Sequence, residues 1–105
     1  MLKREKIKRH SRYFVYIVRC KSGTYYTGYT SNLEQRIKEH NSSRGAKYLR
    51  GKSPLVLVYA KEYRYYKNAL RAEKNIKKYT RKQKEELIRV YENAPIDFSA
   101  FGFKI

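Results

Sequence analysis

The sequence predicts a small α/β domain of the α+β kind. Its sheet is three-stranded and mainly antiparallel, flanked by helices in the order β-β-α-β-α-α. Three observations lead there. Residues 13–29 read as two strands joined by a short turn containing glycine. A second apolar, β-branched run follows Pro54. Two capping boxes, Ser31–Glu34 and Thr80–Gln83, each open a helical stretch.

The first strand is Tyr13-Phe14-Val15-Tyr16-Ile17-Val18-Arg19-Cys20, apolar on both faces and therefore central. Lys21-Ser22-Gly23 turns the chain, and residues 24–29 return as the second strand. Pairs across this hairpin should sum to 44 or 45, placing Tyr16 opposite Gly28 and Tyr26 opposite Val18. Tyr16 and Tyr26 then become diagonal neighbours on one face. Gly28 suggests a bulge or a close backbone approach. In the helix that runs to about Asn41, Leu33, Ile37 and His40 form one stripe and Arg36 its edge. Residues 41–53 are a basic loop, and Leu55–Ala60 the third strand. The second helix runs from about Tyr66 to Tyr79, with Ala69, Ala72, Ile76 and Tyr79 on one face and Glu73 at its border. The third helix buries Leu87 and Ile88 or Val90.

Charge narrows the function. The chain has 105 residues, 26 basic and 9 acidic side chains, and a net charge of +17. Such a field attracts polyanions, above all nucleic acid. The single cysteine excludes a disulfide framework, and with two histidines it excludes a Cys-rich zinc module, so a reducing, cytoplasmic setting is expected. No apolar run approaches the ~18 residues of a membrane span. Residues 1–12 read as a flexible basic arm, 13–91 as the domain, and 92–105 as a tail of different composition carrying three phenylalanines.

Hydrolysis of a phosphodiester needs an activated water, stabilisation of the charged phosphoryl group and help for the leaving oxygen. Tyr or His can act as base, and Arg can make bidentate contacts to phosphate. A carboxylate can hold Mg²⁺ that keeps most of its waters. The hairpin tyrosines, Arg36, His40 and Glu73 supply these types, with no carboxylate pair among them, so one metal is expected rather than two.

The same residues resemble the GIY-YIG nuclease superfamily, specifically its small single-domain prokaryotic members. Phe14-Val15-Tyr16 stands where the family has Gly-Ile-Tyr, and Tyr26-Thr27-Gly28 where it has Tyr-Ile-Gly. Arg36, His40 and Glu73 follow in the family's order, and Tyr29 stands where repair-nuclease relatives carry a lysine. The resemblance covers about residues 13–90. It implies a DNA-binding, metal-dependent endonuclease, with DNA repair or recombination as a setting. Tyr16 or Tyr26, assisted by His40, would activate the water. Arg36 would neutralise the phosphoryl oxygens, and Glu73 would hold one Mg²⁺ or Mn²⁺. The positive field and the metal are expected to favour a tyrosine phenolate. Arg44, Lys47, Arg50, Lys52, Lys74, Lys77 and Lys78 are the candidate backbone contacts. Two rivals carry different tests. A non-catalytic nucleic-acid-binding module of the same fold predicts no metal-dependent cleavage. A ribonucleoprotein accessory protein predicts that structured RNA binds as strongly as DNA.

Overall fold

The computed structural model describes residues 12–41 and 54–96. Its elements are β1 (Tyr13–Arg19), β2 (Tyr25–Thr30), α1 (Leu33–Asn41), β3 (Val56–Tyr63), α2 (Tyr66–Lys77) and α3 (Arg81–Asn93). The strands form one sheet in the order β2-β1-β3, antiparallel throughout, with β1 central as its two apolar faces require. The hairpin register sums to 44, so Tyr16 faces Gly28 and Val18 faces Tyr26. Gly23 makes the turn at φ 93°, where a Cβ would be strained, and its N–H reaches the Cys20 carbonyl at 2.8 Å.

Alternation along β1 divides the core in two. Phe14, Tyr16 and Val18 pack with Leu33 of α1, Leu55 and Ala60 on one face. Val15 and Ile17 pack with Val58, Tyr59, Ala69 and Ile76 of α2, and Ile88 of α3 on the other. The third strand is longer and less regular than its composition suggests. It continues through Lys61, Glu62 and Tyr63, because the edge of a sheet tolerates polar residues and Tyr13–Val15 of β1 offer hydrogen-bonding partners. A bulge lies where Ile17 pairs with Tyr59 but Val18 with Leu57, so Val58 has no opposite number. Val58 and Tyr59 can therefore both serve the α2–α3 face, while Leu57 and Ala60 serve the other.

Helix ends correct two expectations and confirm a third. The cap of α1 is Asn32 rather than Ser31: Asn32 Oδ1 accepts from the Gln35 N–H at 3.1 Å. Asparagine is as strong a cap as serine and directly precedes the first helical residue. At the other end of α1, Asn41 Oδ1 accepts from the Leu55 N–H at 2.8 Å. Helix α2 ends at Lys77, short of Tyr79, because Thr80 must be extended to cap α3. That cap is a complete capping box: Thr80 Oγ1 accepts from the Gln83 N–H at 3.2 Å, and Gln83 Oε1 accepts from the Thr80 N–H at 2.9 Å. Tyr79 and Val90 are left exposed, and α3 buries Ile88 with Leu87 half-buried. Among the described residues no helix is long and apolar enough to cross a membrane.

Candidate functional site

Tyr16 is wholly buried, on the face of β1 that α1 covers. The Leu33–Ile37 stripe lays α1 across that face and brings the equally buried His40 to it. The Tyr16 hydroxyl lies 2.9 Å from His40 Nε2. The Tyr26 ring meets the His40 ring edge-on, with centroids 5.7 Å apart. Two strand tyrosines thus converge on one helix histidine, as the diagonal register anticipates.

Gly28 makes room for this arrangement. A Cβ on Gly28 would stand 2.6 Å from the Tyr16 hydroxyl oxygen, 2.8 Å from its Cζ and 3.2 Å from Cε2 of Tyr26. The glycine is a close approach of side chain to backbone, one of the two readings its place in a strand allows. The bulge lies in β3 instead.

Electrostatics revises the expected phenolate. Burial pushes the Tyr16 hydroxyl well above the ordinary phenol range; neighbouring Tyr26 adds to this and Arg36 opposes it. In a desolvated site the charged form is disfavoured whatever the net charge of the molecule, so Tyr16 rests as the neutral phenol. His40 moves the other way. Burial, and then the positive charge of Arg36, lower its pKa below 6.5. A neutral imidazole with Nε2 unprotonated accepts from the Tyr16 hydroxyl.

Arg36 lies at the rim of this pocket, its guanidinium half-exposed and 3.3 Å from Glu39. Glu73 approaches from α2, on the opposite face of the sheet. It lies at the border of its helix's apolar face, as expected, yet is buried there, 8% exposed. Lys77, one turn on, closes over it with a 2.9 Å ion pair. Its charge is felt at both Tyr16 and Tyr29, as is that of Arg36. Tyr16, Tyr26, Arg36 and His40 therefore lie together where α1 meets the β1–β2 hairpin, while Glu73 stands on α2 across the sheet, its charge reaching Tyr16 and Tyr29.

Among the described residues no three His, Cys, Asp or Glu side chains gather as a metal cage. A hydrated Mg²⁺ or Mn²⁺ can be held by one carboxylate and keep most of its waters, so Glu73 would be the residue to hold it. Of the candidate backbone contacts, Lys74 and Lys78 are exposed on α2, and Lys77 is engaged with Glu73. Arg44, Lys47, Arg50 and Lys52 lie outside the described residues.

Sequence reading missed Tyr66. Its hydroxyl sits 3.3 Å from that of Tyr29, and its ring meets both Tyr29 and Tyr13 edge-on at 5.8 Å. The Tyr29 hydroxyl is raised in pKa chiefly by this contact. The available signal was a tyrosine in the first turn of the helix that carries Glu73.

Comparison with known proteins identifies the family and the fold. Residues 12–86 match the family model of the GIY-YIG catalytic domain. The chain is 45% identical over 78 residues to a UPF0213 protein of Staphylococcus haemolyticus, covering 74% of this chain and 95% of that one. It is 45% identical over 73 residues to a UPF0213 protein of the archaeon Halobacterium salinarum, covering 70% and 95%. The solution NMR structure of a UPF0213 protein from Bacillus halodurans superposes with a TM-score of 0.53 at 40% identity, covering 80% of this chain and 88% of that one. That of an E. faecalis protein does so at 0.56 and 32%, covering 91% and 97%. The chain belongs to the GIY-YIG family, among its small UPF0213 proteins of bacteria and archaea.

Proposed function

We propose that the protein is a metal-dependent endonuclease that binds DNA and hydrolyses its phosphodiester bonds. The observation that carries this reading is the buried Tyr16–His40 contact at 2.9 Å, assembled from a strand and a helix beside Tyr26 and Arg36. Two burdens on folding, a desolvated phenol and a desolvated imidazole, are placed where they can pass a proton between them.

In this mechanism a water attacks phosphorus, and its oxygen forms the new P–O bond as the bond to the 3′-oxygen breaks. The water's proton passes to the Tyr16 oxygen while the Tyr16 proton passes to His40 Nε2. Neutral His40 is thus the final acceptor, and Tyr16 need never rest as a phenolate. Tyr26 places a second ring beside the histidine. Arg36 offers paired N–H donors to the phosphoryl oxygens as negative charge builds on them. Glu73 would hold the divalent cation, which supplies Lewis-acid stabilisation at the leaving oxygen.

The test is incubation with a panel of labelled duplex, branched and single-stranded DNAs in Mg²⁺, Mn²⁺ or EDTA, for the native chain and Glu73→Gln. Cleavage by the native chain that needs metal, lost in the variant while folding and DNA binding persist, is the expected result. DNA binding without cleavage under any metal condition would instead establish the non-catalytic binding module. Wild-type cleavage by Glu73→Gln would remove Glu73 from the metal site.

A further inference from the structure

On α2, Lys67, Arg71, Lys74 and Lys78 fall within about 60° of arc at ~100° per residue, on the side turned away from the sheet. With half-buried Leu70 and exposed Asn75 they line a shallow concavity of about 300 Å³ open to solvent. Lys78, the C-cap, still has helical backbone angles, so the row is continuous. It rises about 16 Å along the helix, the length of roughly five nucleotide steps at ~3.4 Å each.

On α1 and α3, Arg36, Lys38, Arg81 and Arg89 each meet a carboxylate three or four residues away. Arg12 meets Glu62. The carboxylate of α2, Glu73, is taken by Lys77. Among the described residues no carboxylate pairs with Lys67, Arg71, Lys74 or Lys78. Arg19, Lys21, Lys61, Arg64, Lys82 and Lys84 likewise meet no carboxylate among the described residues, but the four on α2 share one helical face and line one concavity. Four like charges on one helical face repel one another, most between residues one turn apart. A row of unmatched cations that lines a groove suits a ligand with regularly repeated negative charge. The row begins about 60° round the helix from Lys77, next to the Glu73 edge.

We propose that this face of α2 is a nucleic-acid binding groove, in which a phosphate backbone lies along Lys67, Arg71, Lys74 and Lys78. The inference rests on the reading of DNA as substrate. It assigns Lys77 a different place, as the partner of Glu73 rather than a contact to that backbone.

The experiment compares two full-length variants that each lose four positive charges. One is Lys67→Gln/Arg71→Gln/Lys74→Gln/Lys78→Gln. The other, Arg19→Gln/Lys21→Gln/Lys82→Gln/Lys84→Gln, lies away from the groove. Circular dichroism melts establish folding, and anisotropy of a short labelled DNA duplex is followed against salt in EDTA. Each phosphate contact contributes about 0.9 to the slope of log affinity against log salt. The groove variant should therefore lose about 3.6 from the slope and the control less than about 1. Equal losses in the two variants overturn the groove, because the net field alone then explains binding. A groove variant that binds like the native chain overturns it as well. Native protein that binds duplex but cuts nothing with Mg²⁺ or Mn²⁺ removes the nuclease and keeps the groove. Cleavage by native protein together with equal slopes does the reverse.

Discussion

Replacing Gly28 by alanine puts a methyl group where the Tyr16 phenol already lies. The new Cβ would stand 2.6 Å from the hydroxyl oxygen and 2.8 Å from Cζ. Ordinary contact begins near ~3.5 Å, so the ring must withdraw by roughly 0.7–1 Å. It has little room to do so, because Tyr16 is wholly buried. Withdrawal on that scale stretches the 2.9 Å contact with His40 beyond hydrogen-bonding range. Overpacking of this kind costs about 1–3 kcal/mol, and loss of a buried hydrogen bond about 0.5–1.5 kcal/mol. The sum, about 2–4 kcal/mol, lowers Tm by at least ~8 °C in a domain of this size, where each kcal/mol is worth about 4–8 °C. Thermal melts of four proteins test it: native, Gly28→Ala, Tyr16→Phe and the double variant. Phenylalanine removes the 2.6 Å contact but keeps the 2.8 Å one, so the two changes should couple by about 1 kcal/mol. A Gly28→Ala protein within about 0.5 kcal/mol of native, or strictly additive changes, would refute the reasoning.

Two further outcomes follow from the same contact. In single-turnover cleavage at saturating protein, Tyr16→Phe should lose at least the ~10²-fold typical of a positioned acid–base group, whereas Tyr63→Phe, remote from His40, should stay near native. Similar rates for both would reduce Tyr16 to packing. Because His40 titrates below its unfolded value of 6.5, the unfolded chain binds the proton more readily. Stability conferred by neutral His40 is complete above pH 6.5 and is lost as pH falls through the folded pKa. Tm measured from pH 7.5 down to 5 should decline along that course in the native chain and less steeply in His40→Gln; parallel curves would contradict the assignment.

The hairpin register was legible because strand period and turn length admit few alternatives, and Thr80 with Gln83 announced α3 for an equally local reason. Arg36 and His40 were placed correctly by their spacing from Leu33. What escaped depended on neighbours distant in sequence. The positive field and the metal were expected to favour a tyrosine phenolate, but the acidity of Tyr16 is set first by its burial. Glu73 was rightly placed at the border of its helix, but its burial escaped because a helical wheel does not say how deeply a neighbouring sheet covers that edge. Tyr66 was passed over because its partners, Tyr29 and Tyr13, lie 37 and 53 residues before it. The third strand was read as ending at Ala60, and its edge position in the sheet is what lets Lys61 and Glu62 extend it.

The unmatched Val58 gives β3 a tolerance to length change that its neighbours lack. Removing Val58 would leave Leu57 beside Tyr59 in plain alternation, with Val18 still opposite Leu57 and Ile17 still opposite Tyr59. The ladder would close without moving a side chain to the wrong face, and the loss would be the buried contacts of one valine. Removing Tyr59 or Ala60 instead would take an inward-facing partner from opposite Ile17 or Tyr16. One-residue deletions among relatives should therefore collect at this site, where the strand carries a spare residue.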